Sequence, residues 1–509
     1  MVIAHTTAVA LLGLTGTLVD VEADISSNLP SFVLIGLPDA ALNEARDRVR
    51  AAATNSGCAL PNRRLTVNLS PAALPKHGSG FDLAIAMAVL AAAEMISLDS
   101  VARVVHLGEL GLDGRLRPIA GILPSVLAAS RAGASIVMVP SGNAGEAGLV
   151  PGIRVVPVAS LRDAAIWHGG ELEPVEVDAI QAPRIDDPVD DGLDLSDIVG
   201  NEDAIEALTV AAAGGHHLFL LGPPGAGKTM LAARLPGLLP DLGVEDALEV
   251  SSIRSLAGLA IGASLAVRPP LESPHHTATA ASLVGGGSGV IRPGAAARAS
   301  HGVLFLDEAP EFQPAALDAL RQPLEAGVVS IHRANAVAHF PARFQLVMAA
   351  NPCPCGQYGA ADSDCVCTPH VRRRYLARLS GPLMDRIDIQ LRISRVTAVR
   401  LRLGDESPSI TTSEARRRVT HAREAAAERL AGTPWRLNSQ VPGAWLRSRE
   451  RRLATATTAS IDRALERGGL TMRGYDRVLR LGWSIADLAG ATIPTADHIG
   501  RGLYLRRAL

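Results

Sequence analysis

Lysine is nearly absent. The 509 residues hold two, Lys76 and Lys228, and arginine carries the remaining positive charge. Aromatic residues make up 3% of the chain, so its cores must be aliphatic, with helices meeting through small side chains such as alanine. No run of 18 or more apolar residues is unbroken, which argues against a membrane-spanning helix. The opening stretch, MVIAHTTAVALLGLTGTLVDVEAD, lacks a basic lead and soon turns acidic, unlike a secretory signal. Five cysteines, four of them within 353–367, do not resemble a secreted disulfide framework. The expectation is a cytoplasmic protein with no membrane partner.

At this length two to four domains are expected. Charged residues are 20% of the chain, which suits a globular protein. The net charge of −2 conceals an uneven distribution. Residues 366–509 carry 27 arginines against 13 acidic residues, a balance of +14, so residues 1–365 carry −16. A basic third on a near-neutral chain suits a polyanionic partner such as DNA. The alternative is a solvated helical surface with internal ion pairs.

Residues 1–167 alternate strand-like and helix-like runs. Segments 32–36, 65–69, 104–107 and 136–139 read as strands, and 39–53, 81–93 and 123–132 as helices. Residues 168–195 are acidic, contain Pro174, Pro183 and Pro188, and read as a linker. A second α/β region spans 196–395. Residues 396–509 are arginine-rich with a helical pattern, and no internal repeat is evident.

One of the two lysines lies in Gly222-Pro223-Pro224-Gly225-Ala226-Gly227-Lys228-Thr229. This G-x-x-x-x-G-K-T pattern needs a slim ammonium to reach the outer phosphates of a nucleotide between backbone N–H groups. A planar guanidinium is a poor substitute there. In a chain that otherwise uses arginine, the exception is informative. The apolar run 218–221 reads as a buried strand, and a helix expected from about residue 227 would face the phosphates with its N-terminus. Thr229 would hold Mg²⁺ through its hydroxyl. Farther along, Val303-Leu-Phe-Leu-Asp307-Glu308 is an apolar strand ending in two acids. Asp307 would position the magnesium shell and Glu308 would orient the attacking water.

A further strand, 344–350, ends at Asn351, whose amide would touch the γ-phosphate or the water. The alternative is a turn-forming Asn before Pro352. Arg386, in Ser380-Gly-Pro-Leu-Met-Asp-Arg-Ile-Asp388, would suit an arginine finger supplied to a neighbouring subunit, worth roughly 10³–10⁵ in rate. The alternative is a surface ion pair with Asp385 or Asp388. Arg473, in what looks like a helix start at 470–480, would read the nucleotide state from the lid.

The order of these motifs resembles that of an AAA+ ATPase. Pro274-His-His-Thr-Ala278, Leu283-Val-Gly-Gly-Gly287, Asn351-Pro-Cys-Pro-Cys-Gly356 and the segment around Arg386 narrow the likeness. So do Gly36-Leu-Pro-Asp39, Arg48-Val-Arg-Ala-Ala52 and Val67-Asn-Leu-Ser-Pro71. The chain is similar over nearly its whole length to magnesium-chelatase-like AAA+ ATPases of the YifB/ComM family. The resemblance implies an AAA+ P-loop NTPase core (196–395) with a C-terminal helical lid (396–509). A Lon-protease-like (ribosomal protein S5 domain 2-like) α/β domain (1–167) would precede them. It also implies ATP and Mg²⁺ as cofactors and a hexameric DNA motor that drives branch migration in natural transformation. A hairpin at 327–343, with His332 and Arg333 near its tip, would enter the ring pore. The alternative for the hairpin is packing on a neighbour, and the alternative to a DNA motor is a chelatase-type motor that remodels a protein partner.

Residues 76–140 resemble the proteolytic domain of Lon-type enzymes, which use a Ser–Lys dyad. The serine position falls at Gly80 and the lysine position near Leu123, while 77–227 holds no lysine. Ser79 is one residue out of place, and its nearest amine is that of Lys76. The domain reads as a catalytically dead relative used for assembly or substrate handling. Cys353, Cys355, Cys365 and Cys367 form C-x-C…C-x-C, four thiolates suited to a tetrahedral structural Zn²⁺. The alternative is four reduced, metal-free cysteines. Cys58 reads as core, and His275 and His276 as parts of a structural loop.

Overall fold

The computed structural model describes residues 3–36, 40–74, 76, 78–181, 192–259, 261–262, 264–287, 291–333, 336–359, 365–395 and 410–507. Asp39, His77, linker residues 182–191, hairpin residues 334–335 and the expected lid boundary at 396 lie outside the described residues.

The N-terminal region is built on a seven-stranded mixed sheet. Its order is Ser31–Ile35, Arg64–Ser70, Thr15–Ser26, Ala4–Leu12, Val105–His106, Ile136–Pro140, Arg154–Val158. Arg64–Ser70 alternates, with Leu65, Val67 and Leu69 buried, as a strand covered on one face does. The hairpin Ala4–Leu12/Thr15–Ser26 escapes the sequence reading because Ala8–Leu12 is an unbroken apolar run, buried at Ala8–Ala10 and packed on the second region at Leu11 and Leu12. The strand Arg154–Val158 escapes it too. The helix expected over 39–53 appears as two pieces, Ala40–Asn43 and Ala45–Asn55. The helix Asp82–Ala92 is buried along its full length, and its five alanines allow close packing on every side. Its one charge, Asp82, is met by Arg48 at 2.7 and 3.0 Å and by the Leu110 N–H at 3.2 Å.

The second region carries a five-stranded parallel sheet in the order Leu271–Glu272, Val303–Leu306, Gln345–Ala350, Leu218–Leu221, Ile389–Arg392. The three middle strands are buried at every residue, which explains sequences that are apolar apart from Gln345, whose amide donates to His216 O at 2.7 Å. Among the described residues that follow are five α-helices, Thr412–Arg429, Gly443–Leu446, Thr455–Glu466, Met472–Leu488 and Ala496–Arg507. They share a core cluster of their own, Leu430, Val441, Leu446, Ile461, Val478, Leu479 and Ile499, and also pack on the sheet. Ala415, Val419, Ala422, Leu481 and Leu505 share one core cluster with Leu218, Leu220, Val347 and Ile389 of the sheet.

The two regions meet directly. Gly121 N–H donates to Ser255 O at 3.1 Å, and Leu11, Leu12 and Leu14 pack on the core of the second region. The expected hairpin forms from Val328–Arg333 and Ala336–Pro341. The turn at Gly13 presses on it: a Cβ at Gly13 would lie 2.7 Å from His339 O. Among the described residues no helix is long and apolar enough to cross a membrane.

Candidate nucleotide site

The strand Leu218–Leu221 runs into the glycine-rich loop, and the helix Lys228–Leu238 leaves it. Gly227 caps that helix with φ +86°, a left-handed backbone that a side chain would strain. A Cβ there would meet nothing within 4 Å, so the space over the loop is open. That space is a cavity of about 400 Å³ lined by Pro224, Gly225, Ala226, Gly227, Lys228, Thr229, Met230, Asp307, Glu308 and Asn351. A larger groove of about 580 Å³ beside the helix Thr412–Arg429 contains none of the acids or the lysine of this cavity.

Three parallel strands bring these groups together at their C-terminal ends, where α/β sheets bind ligands. Lys228 Nζ donates to the carbonyls of Gly222 (2.7 Å) and Pro223 (3.1 Å) and to Asn351 Oδ1 (3.0 Å). Burial lowers its pKa, against the opposing fields of Asp307 and Glu308. The Thr229 hydroxyl donates to Asp307 at 2.7 Å, joining the two groups expected to share Mg²⁺. Hydroxyl and carboxylate oxygens are the ligands a hard divalent cation takes, so this pair fits the ion. Glu308 sits at φ +50°, ψ +42°, a region that costs a non-glycine residue about 1 kcal/mol or more.

His276, read from sequence as part of a structural loop, lies with Nδ1 3.4 Å from Glu308 Oε2. Its signal was the His275-His276 pair; nothing in the sequence tied that pair to Glu308. Arg395 was also missed. Its Nε donates to Pro224 O at 3.0 Å.

Arg386 and Arg473 do not line this cavity. Arg386 donates to the Glu325 carboxylate and to Pro382 O, not to Asp385 or Asp388. Burial and the nearby Arg321, Arg473 and Arg477 lower its pKa. Arg473 opens the helix Met472–Leu488, is 77% exposed, and lies 3.6 Å from Asp385. Behind them Arg477 pairs with Asp388.

The four clustered cysteines converge, with all four sulfurs within 4.8 Å of one another. Cys353 and Cys355 are 3.3 Å apart, and each lies 3.7 Å from Cys365. Ser79 donates to Glu109, whereas Lys76 donates to the carbonyls of Gly36 (2.9 Å) and Pro71 (2.5 Å). No hydrogen bond joins this serine to this amine among the described residues.

Strand order, glycine-rich loop and acidic strand end define a P-loop protein of the AAA+ class, fused to a Lon-like α/β domain. Family models agree: residues 21–143 match "Subunit ChlI of Mg-chelatase", 194–401 "Magnesium chelatase, subunit ChlI" and 409–506 its C-terminal domain. An uncharacterized protein of Mycobacterium tuberculosis is 49% identical over 508 residues, covering 100% of this chain and 99% of that one. Competence protein ComM of Haemophilus influenzae is 39% identical over 499 residues, 98% of this chain and 96% of that one. The uncharacterized protein YifB of Escherichia coli is 39% identical over 510 residues, 99% and 96% of the two chains. A local likeness to Lon protease of Mycolicibacterium smegmatis, 32% over 179 residues, spans 33% of this chain and 22% of that enzyme. The chain belongs to the YifB/ComM-like family of magnesium-chelatase-like proteins.

Proposed function

We propose that the protein is an ATP-driven, ring-forming DNA motor that moves along or branch-migrates DNA, in transformation or recombination. ATP and Mg²⁺ serve at the P-loop, and four thiolates hold a structural Zn²⁺ beside it. The observation that carries the reading is the division of the site. Lys228, Thr229, Asp307, Glu308 and Asn351 share one cavity, while Arg386 and Arg473 lie outside it. In this reading they serve the nucleotide of a neighbouring copy, so hydrolysis needs assembly. Lys228 grips the phosphates, Thr229 and Asp307 hold Mg²⁺, and Glu308 orients water.

A relative named for competence supports DNA as the partner. So does the C-terminal basic surplus, although part of it is structural. Arg429 pairs with Asp487, Arg447 with Asp476, and Arg501 with Asp203 and Glu206. Arg417, Arg418, Arg449, Arg452 and Arg467 are exposed.

The test is ATP turnover with and without single-stranded or forked DNA, on protein of measured oligomeric state, with DNA affinity followed across salt. Binding through arginine should weaken with a log–log slope of about −0.9 per neutralised phosphate on duplex. Undetectable DNA binding at low salt with ATP present would refute the DNA reading. Full turnover by a strictly monomeric chain would refute the shared site.

A further inference from the structure

Gly356 touches the P-loop. It has φ +74°, and a Cβ there would fall 2.6 Å from Cγ and 2.7 Å from Cδ of Pro224. Its N–H donates to Cys353 O at 2.9 Å, closing a tight turn that contains Cys355. Five residues earlier Asn351 accepts from Lys228. The segment 351–356 therefore meets the nucleotide loop at both ends, with Cys353 and Cys355 between them.

The sulfur geometry suits one metal ion. A tetrahedron with metal–sulfur bonds of about 2.3 Å has edges of about 3.8 Å. The separations from Cys365 to Cys353 and to Cys355 are both 3.7 Å. A disulfide needs about 2.05 Å, and all four cysteines are free. An all-sulfur tetrahedral set selects a soft or borderline cation, zinc foremost. The surroundings suit the two negative charges that four thiolates and Zn²⁺ would carry. The Tyr358 N–H donates to Cys353 Sγ at 3.4 Å. Arg372 stacks 3.7 Å over the Tyr358 ring. The helix Pro369–Leu376, capped by Thr368, begins two residues after Cys367 and directs its positive end toward this segment.

We infer that Cys353, Cys355, Cys365 and Cys367 bind one Zn²⁺ that is a structural part of the nucleotide pocket. The ion anchors the turn that holds Gly356 against Pro224 and carries Asn351 to Lys228. Metal loss frees that turn and loosens the phosphate loop. The inference rests on the ATP reading for the pocket, whereas the metal site stands on the cysteines alone.

The experiment measures metal by mass spectrometry and affinity for a fluorescent ATP analogue on the full chain. Wild type should carry one zinc per chain, without the visible absorbance of iron–sulfur. Cys365→Ser/Cys367→Ser alters ligands remote in sequence from the P-loop. It should lose the zinc and weaken analogue binding by at least about tenfold, or 1.4 kcal/mol. Gly356→Ala should keep the zinc yet weaken binding, separating pocket contact from metal and from misfolding. Wild type that binds the analogue but lacks zinc, or holds iron, would overturn the metal site. A zinc-free double variant with unchanged affinity would overturn the coupling. Wild type that carries zinc but binds no analogue would instead overturn the ATP reading.

Discussion

Asn351 accepts a hydrogen bond from Lys228 at 3.0 Å, joining the end of one parallel strand to the first turn of the P-loop helix. The ammonium is satisfied by this amide and two loop carbonyls. In the proposed reading, ATP would compete with them for the ammonium and Asn351 would then hydrogen-bond the γ-phosphate. Lys228→Ala should abolish ATP binding or turnover. Asn351→Ala should leave binding within a fewfold of wild type and lower kcat by about 10²–10³, as loss of one preorganised transition-state donor does. Titration with an ATP analogue and steady-state turnover check both. Undiminished hydrolysis in Lys228→Ala would remove the lysine from the site.

Arg386 is held by Glu325 and pressed by three other arginines, away from its own chain's cavity. That arrangement leaves the guanidinium, 16% exposed and paired with Glu325, outside the local cavity. Arg386→Ala should therefore keep ATP binding nearly intact and slow turnover by about 10³ or more. Glu308→Gln should be inactive alone. Mixed rings of the two variants should recover part of the activity, because one interface in the mixture joins an intact Glu308 to an intact Arg386. Confirmed mixed assembly with no recovery would rule out action in trans.

The convergence of these side chains on one cavity was legible because they belong to short motifs. Each of Lys228, Thr229, Asp307, Glu308 and Asn351 sits at or just beyond the end of a buried strand or at the start of a helix. An apolar run followed by a polar residue marks such a position. The strand 218–221 and the hairpin around 328–341 lie where the sequence puts them. His276 beside Glu308 and Gly356 against Pro224 were not legible. Both are contacts across long sequence separation between irregular segments, which have no periodicity to read. The first hairpin was obscured for a different reason: Ala8, Val9 and Ala10 are all buried and Leu11 and Leu12 pack on the second region, so this end of the strand lacks the alternation of a strand covered on one face.

Arg477 and Asp388 bind the C-terminal helices to the edge of the parallel sheet. Asp388 is 1% exposed and precedes the strand Ile389–Arg392, while Arg477 belongs to Met472–Leu488. Burial alone would raise the carboxyl's pKa, but Arg477, His216 and His217 hold it well below the ordinary carboxylate range. Removing the arginine leaves a buried charge without its main partner. Arg477→Ala should destabilise the fold by about 3–5 kcal/mol, and Arg477→Lys by less. Denaturant midpoints measure it. A loss below about 1 kcal/mol, the level of a surface pair, would show that the pair does not bind the helices.

Three histidines make stability depend on pH above the carboxylate range. His106 Nε2 faces His168 Nε2 at 2.9 Å, with Thr6 and Ser100 hydroxyls on the outer nitrogens at 2.7 and 2.8 Å. Two neutral rings share one N–H between them; protonating the accepting nitrogen sets two donors face to face. Burial lowers His106 far below its ordinary value and His168 to about 4. His217 is lowered to about 4, chiefly by burial, and its Nδ1 accepts the Leu346 N–H at 3.0 Å. Each folded-state pKa lies below the unfolded value of 6.5, so between about 4 and 6.5 the unfolded chain binds more protons. Stability is then complete above 6.5 and falls as pH drops toward 4. His168, 1% exposed, accounts for a loss on the order of 3 kcal/mol. Asp388 acts in a separate window: its contribution is lost only below the ordinary carboxylate pKa of 3.8. Unfolding midpoints between pH 8 and pH 4.5 should fall in wild type, and fall less steeply in His168→Gln. Equal slopes for the two proteins would exclude the buried pair as a source of the acid sensitivity.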